Sequence, residues 1–391
     1  MYSLLLSVIY LSFVSLGLPD SLLGSAWPVM HGQFGASPSE LGMITMVMSF
    51  CTVISSLTSD RMTKRFSVRL VTLFSVVLSA VSLIGYSYAT HFWMLMALAV
   101  PYGLAGGAID AALNNYVALH YNSKHMSWLH SFWGVGTIIS PFIMSRALTV
   151  GVWNDGYIWT AYCQFAIALV LVIALPLWKV NQGKNQAVQA SGKSVGIRGA
   201  LKIKGVPYQL LGFLGYCAAE STAMGWSATY FVEVKGIGEE QAAALASLFF
   251  IGLTAGRFLG GFIMDRVGDR NMIRLGTGLS LIGIILLLLP LGSSVCTLVG
   301  FVMIGFGFAP IYPCIIHATP HNFGAEYSGA IIGMEMAGAY IGSTFMPPLY
   351  GMLGGFLGFE IMPVFLLIFV GLMIVMTEKT FRVTARLEEQ K

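Results

Sequence analysis

Long apolar runs separated by short polar breaks set the pattern of this chain. The breaks are turn-rich or charged: HGQFGASPSE, SDRMTKRFSVR, YNSKHMS, VWNDGY, VKGIGEE, DRVGDRNMIR and TPHNFGAEYS. A helix needs about 20 mainly apolar residues to cross the hydrocarbon of a bilayer. Twelve segments qualify, numbered spans one to twelve in chain order: 3–30, 38–59, 68–89, 92–119, 127–150, 158–178, 206–232, 239–264, 272–292, 295–318, 326–352 and 357–377. The pattern therefore predicts an all-α integral membrane protein.

Composition agrees with the pattern. Hydrophobic residues are 56% and charged residues 10% of the 391-residue chain, against about 25% charged in soluble domains. Such a chain cannot cover a globule with polar surface, so lipid is its main solvent. The opening MYSLLLSVIY has no basic region before its apolar run, which predicts a mature span rather than a signal peptide. Five cysteines (Cys51, Cys163, Cys217, Cys296, Cys314) fall inside apolar segments without a CxxC pair and read as small core residues.

Charge predicts topology. Of the 21 basic residues, 18 fall in one alternate set of loops and the carboxyl tail; the other set holds only Lys235, and Arg146 and Arg257 lie within spans. The positive-inside rule puts both termini in the cytoplasm, and the compact loops suggest a bacterial inner membrane. The net charge of +4 expresses that topology and does not call for a nucleic-acid partner.

Residues 179–205 form the one long polar, basic stretch between spans, and they predict a cytoplasmic linker between bundles 1–178 and 206–378, with a cytoplasmic tail at 379–391. Gly192-Lys193-Ser194 looks like the end of a phosphate loop, but Ala187 stands where such a loop needs glycine. No nucleotide cofactor is expected.

The two halves repeat at an offset of about 205 residues. SDRMTKRF after span two matches MDRVGDRN after span eight, with Asp60 and Asp265 separated by 205. Gly134, Gly136 and Pro141 of span five recur as Gly338, Gly342 and Pro347 of span eleven. Internal repeats around a midplane site mark secondary transporters.

On these residues the chain resembles the major facilitator superfamily, whose signature after the second span is G-x-x-x-D-R-x-G-R-[RK]. Asp60, Arg61, Lys64 and Arg65 fit the first copy, with Ser56 and Thr63 in place of its glycines; Gly261, Asp265, Arg266, Gly268 and Arg270 fit the second, with Asp269 departing from it. The stretches GAIDAALNNY, HSFWGVGTIISP, GYCAAESTAMGWSATYF and GFGFAPIYP are similar to the fucose–galactose–glucose:proton symporter branch. That resemblance implies two pseudo-symmetric six-helix bundles, proton-coupled sugar symport, and matches Asp110 and Asn114 to the branch's acid and amide in span four.

Intramembrane acids are costly, so each is a candidate for function. Asp20, Asp110, Glu220 and Glu335 lie in spans one, four, seven and eleven. Asp110 and Asn114, at i and i+4, share one helix face. Asp110 is expected to carry the coupling proton, with Glu220 shared between coupling and substrate. Trp226 and Tyr230 come after Glu220 and could stack on a sugar while carboxylates bind its hydroxyls. Asp20, after Pro19, Asn114, Gln164, Tyr312 and Glu335 complete the expected substrate set. Asn115 and the span-five residues His130 and Trp128 read more simply as packing and interfacial groups. Asp60, Arg61, Asp265 and Arg266 are expected to form gating charge pairs, and Arg257, in GRFLGGFIMD, to pair with the cytoplasmic acids. Four acids against two intramembrane arginines argue for a neutral or cationic solute over an anion.

The expected function is proton-coupled symport of a small polar, sugar-like solute by a monomer, with no cofactor. Na⁺ coupling, uniport, export of cationic or apolar compounds, and a membrane sensor on the same fold remain alternatives. An enzyme is disfavoured, because His130, His317 and His321 show no metal spacing and no nucleophile–base set stands out.

Overall fold

The computed structural model describes residues 2–37, 40–181, 196–289 and 294–389. The Gly192-Lys193-Ser194 stretch and most of the expected linker lie outside them. No strand occurs among the described residues. Twelve spans of helix run in the expected order, and their limits differ from the apolar runs mostly at the ends. Span four is Phe92–His120 and span seven is Val206–Lys235. Among the described residues, nine spans are long and apolar enough to cross a membrane on those grounds alone. The other three, Ser123–Val150, Val206–Lys235 and Ala325–Leu357, have the length and carry more polar side chains.

Two spans are broken by proline. Span one runs Tyr2–Asp20, turns at Ser21, and resumes as Leu22–Met30. Span ten runs Ser294–Phe308 and resumes at Ile311–Phe323, with Pro310 at the join. Proline lacks the N–H that a helix interior needs. At Pro19 the orphaned acceptor is the Ser15 carbonyl, and Gln164 Nε2 of span six supplies the missing donor at 2.6 Å. The Ser15 hydroxyl in turn bonds Gln164 Oε1.

The chain divides into two compact units. Unit 1 holds Met1–Tyr116, Leu129–Val195 and Ala325–Ala337; unit 2 holds Val117–Trp128, Gly196–Gly324 and Gly338–Lys391. Within unit 1, small residues draw spans two and four together. Thr52 Oγ1 donates to Gly103 O (3.1 Å), Ser55 Oγ to Leu104 O (2.5 Å) and Ser59 Oγ to Ala108 O (3.3 Å). A Cβ on Gly107 would strike Thr52 O and lie 2.9 Å from Ser56 Oγ. Outward-facing Phe50, Phe74, Ile173, Phe262 and Ile368 are exposed, as a bilayer solvent allows.

The turn after span two comes about one helical turn later than the signature's glycine position. Thr63, expected at the signature's glycine, is still helical; the chain turns at Ser67, with φ 69° and ψ 151°. Gly268 makes the matching turn after span eight, with φ 82° and ψ 152°. A serine there holds a conformation that suits glycine.

Candidate functional site

In unit 1, Asp20 ends the first segment of span one. Span five comes close because both helices are bare where they meet: a Cβ on Gly17 would strike Trp133 O, and one on Gly136 would lie 2.8 Å from Leu18 N. The close approach brings the Trp133 indole to Asp20. Trp133 Nε1 donates to Asp20 Oδ2 at 2.8 Å, and the Tyr102 hydroxyl of span four donates to Oδ1 at 2.9 Å. The Asp20 side chain is exposed and has no cationic partner among the described residues. A carboxylate thus opens beside two aromatic rings. Next to it, Ser15, Ser75, Ser79, Tyr102 and Gly106 line a cavity of about 20 Å³, room for one water.

Two turns or more along span four lies a buried polar chain. Asn114 Nδ2 donates to Asp110 Oδ1 at 2.8 Å, and its Oδ1 lies 3.1 Å from His130 Nε2 of span five. Asp110, Asn114 and His130 are each buried. Phe13 meets the His130 ring edge-on at 5.4 Å. Met336 Sδ of span eleven is 3.6 Å from Asn114 Nδ2, and the adjacent Glu335 is fully buried. The structure therefore joins Asp110 and Asn114 to His130.

In unit 2, Glu220 of span seven is paired. Arg257 Nη2 of span eight donates to its Oε1 at 2.8 Å, and the Tyr216 hydroxyl donates to the same oxygen at 2.6 Å. Both partners of the ion pair are buried. Tyr312 packs on Phe213 at 4.8 Å and lies 6.1 Å from the Tyr216 ring. Arg257 thus departs from the expected pairing with the acids of its own loop. Helical side chains lean toward the helix N-terminus, which aims Arg257 away from Asp265 and along span eight toward Glu220.

Other expected substrate residues are not brought to these acids. Trp226 donates to Pro347 O at 2.9 Å and packs between Tyr350 and Phe359, filling the space above Gly351. Tyr230 is buried against Phe301, with its hydroxyl 3.5 Å from Leu287 O. Gln164 is engaged wholly with Ser15, as its two contacts there show. Six residues from Glu220 to Trp226 span about 9 Å of helix, too far for one small solute group.

The signature acids each meet a helix start from the other repeat. In unit 2, Lys124 N donates to Asp265 Oδ1 (3.2 Å) while its Nζ lies 3.4 Å from Oδ2. Ser123 Oγ donates to Asp269 Oδ1 (2.5 Å), and His317 lies 2.7 Å from Asp269 Oδ2 and 3.0 Å from Tyr121 O. In unit 1, a Cβ on Gly329 would sit 2.5 Å from Asp60 Oδ1, and Ser328 Oγ donates to Asn115 Oδ1 at 2.7 Å. Gly329 and Lys124 are separated by 205 residues, as Asp60 and Asp265 are. Lys64 pairs with Asp60 at 3.0 Å, whereas Arg61 and Arg266 are exposed and make no ion pair among the described residues.

Tyr102, Trp133, His130 and Tyr216 escaped the sequence-based site. Tyr216 had a local signal, one turn before Glu220. Tyr102 and Trp133 are 82 and 113 residues from Asp20, and for Trp133 it is the contact of Gly17 and Gly136 that makes the approach. No group of three or more His, Cys, Asp or Glu residues could hold a metal ion among the described residues.

Among the described residues, repeated helical spans that hold acids and aromatic rings inside them have the architecture of a polytopic membrane protein. The sequence profile of the Major Facilitator Superfamily matches residues 9–334 and 210–391, and the chain belongs to that family. Among curated relatives, Bypass of stop codon protein 6 of Saccharomyces cerevisiae is 25% identical over 65% of this chain and 56% of its own length. The probable nitrate/nitrite antiporter NarK1 of Thermus thermophilus is 23% identical over 90% of this chain and 86% of its own. The hexuronate transporter of Bacillus subtilis is 20% identical over 66% of this chain and 64% of its own. Among solved structures, the transporter FucP in its outward conformation has a TM-score of 0.78 at 13% identity, covering 96% of this chain and 98% of that one. The proton:xylose symporter XylE also has a TM-score of 0.78, at 12% identity, covering 97% and 95%. These likenesses carry the fold.

Proposed function

We propose that the chain is a proton-coupled secondary transporter of a small polar solute, a sugar or sugar-like compound. It works as a monomer by alternating access, with its basic loops and both termini in the cytoplasm of a bacterium. The observation that carries this reading is Asp20: an exposed carboxylate inside a span, held open by Tyr102 and Trp133. A carboxylate accepts from sugar hydroxyls, and the adjoining rings can cover the sugar's apolar C–H faces. FucP and XylE, by name a fucose:proton and a proton:xylose symporter, support the same class. The relatives' names range from nitrate to hexuronate, so the solute class rests on the site.

Asp110 is the proton carrier in this reading. Its carboxyl is buried on a bonded path to His130 through Asn114, so its charge state can reorient a group on span five. Asp60, Asp265 and Asp269 hold helix starts at the basic end, and those contacts break and re-form as access alternates. Arg61 and Arg266 stand beside them as exposed charges. That Asp20 has no cationic partner among the described residues favours Na⁺ as the second reading for the coupling ion.

The test is uptake of radiolabelled sugars into proteoliposomes under an imposed pH gradient and, separately, a Na⁺ gradient. Accumulation driven by external acid, lost in Asp110→Asn with exchange retained, is the expected result. Accumulation driven by Na⁺ alone removes the proton assignment, and no movement of any sugar removes the solute class.

A further inference from the structure

The Glu220–Arg257 pair carries a sharper statement about the solute, resting on the proton-coupled reading proposed for the chain. Arg257 is fully charged and almost wholly buried at 6% exposure, so it requires an anion beside it at every stage of a cycle. Its present partner uses the guanidinium sparingly. One nitrogen, Nη2, meets one oxygen, Glu220 Oε1, which also receives the Tyr216 hydroxyl. Arg257 Nε is buried with no hydrogen-bond partner among the described residues. A guanidinium presents its N–H groups as a planar fork that matches a carboxylate with two parallel bonds, and an unmet buried N–H is costly. The pair is therefore sound as a charge match and incomplete as a hydrogen-bond match.

We propose that Arg257 is a seat for the carboxylate of an acidic solute, with Glu220 as its resident stand-in. When the solute arrives, its carboxylate takes the Arg257 N–H groups, and Glu220 takes up one proton from the side that is open. The seat holds one positive and one negative charge before the exchange, and the same afterwards, because the solute's charge replaces that of Glu220. No charge is left unpaired in the membrane, and the solute and one proton bind as a neutral set. Tyr216 can serve both states, since a hydroxyl that donates to the carboxylate can instead accept from the protonated acid. Phe213, Phe308 and Tyr312 wall the Tyr216 side with rings, suited to a carbon skeleton. The class is a hydroxylated monocarboxylate, a sugar acid. Pairing Glu220 with Arg257 leaves the excess of acids elsewhere in the spans in place, and the seat meets it locally, because the solute's carboxylate replaces a negative charge already there.

The groups that titrate or carry charge around Glu220 are few. Arg257 faces it from span eight, Tyr216 and the buried Cys217 thiol come from its own span, and Tyr312 lies behind Tyr216 on span ten. Spans eleven and twelve meet this stretch of span seven through Gly342 and Met373, which carry no charge.

The test is equilibrium binding of radiolabelled D-glucuronate, D-gluconate, L-lactate and D-glucose to the purified full chain from pH 5.5 to 8.5. Because one proton is taken up with each carboxylate, carboxylate binding weakens by up to tenfold per pH unit as pH rises. The expected result is that at least one carboxylate binds more tightly than glucose. Glu220→Gln, which keeps an acceptor for Arg257, lowers the slope of log Kd against pH by one. Arg257→Lys, which keeps the charge and loses the fork, weakens carboxylate binding at least tenfold. A wild-type slope in Glu220→Gln, or unchanged carboxylate binding in Arg257→Lys, overturns the proposal. Glucose binding and acid-driven glucose uptake without carboxylate binding also overturn it, and leave the sugar transporter reading standing. Should no probe bind or move, that reading falls and this one with it.

Discussion

Severing the Glu220–Arg257 pair gives a large and specific signature. Both groups are buried, at 9% and 6% exposure, so removing one strands the other in a low-dielectric interior. Loss of one partner of a buried pair costs about 3–5 kcal/mol, whereas replacing both by apolar residues of similar volume is often neutral. Arg257→Met and Glu220→Leu are the single variants, and the combined variant removes both charges. Glu220→Leu also frees the Tyr216 hydroxyl, which still lies 3.2 Å from Phe308 O, limiting that extra loss. For a cooperative unit of 150–250 residues, 1 kcal/mol shifts the thermal midpoint by about 2–4 °C. Unit 2 is of that size, so each single variant lowers its midpoint by roughly 6–20 °C. The combined variant regains most of that loss. The assay is thermal unfolding of the purified protein in detergent, run as a double-mutant cycle. Single variants that melt like the wild type, or a combined loss equal to the sum of the singles, would refute the pairing.

Helix packing sets three further outcomes. Gly107→Ala lowers thermal stability by about 1–3 kcal/mol through overpacking against span two. Gly106→Ala is tolerated, because its Cβ would meet only Leu16 Cδ1 at 4.0 Å, and equal effects at the two sites contradict the helix contact. Gln164→Leu strands the Ser15 carbonyl and costs about 1–3 kcal/mol; adding Pro19→Ala restores a helical N–H and recovers part of it, unless Gln164 acts otherwise. Ser67→Gly raises the melting midpoint by relieving about 1–3 kcal/mol of backbone strain, and a lower midpoint would refute the assigned strain.

Features set by local spacing are the ones legible in the sequence. The i, i+4 pair Asp110–Asn114 is on one face, as helical geometry requires, and the limits of span four, a continuous apolar run, fall within a residue of expectation. The role of Gly107 is visible only when span two lies beside it. Pro19 signals the break in span one, but the repair of the Ser15 carbonyl by Gln164 needs a residue 149 positions away. Arg257 misleads because it is eight residues from Asp265 in sequence, while its side chain leaves the helix in the opposite direction. Trp226 and Tyr230 have suitable chemistry for a sugar, but aromatic side chains also fill gaps, and here Gly351 provides one.

The most direct test of the transport claim tracks protons rather than solute. Proteoliposomes in a lightly buffered, Na⁺-free medium would be given a panel of sugars and sugar acids while external pH is recorded. Proton symport predicts external alkalinisation that begins with addition of a transported solute, disappears with a protonophore, and is absent in Asp110→Asn. Uptake of a solute with no pH change, or only when Na⁺ is present, would contradict proton coupling.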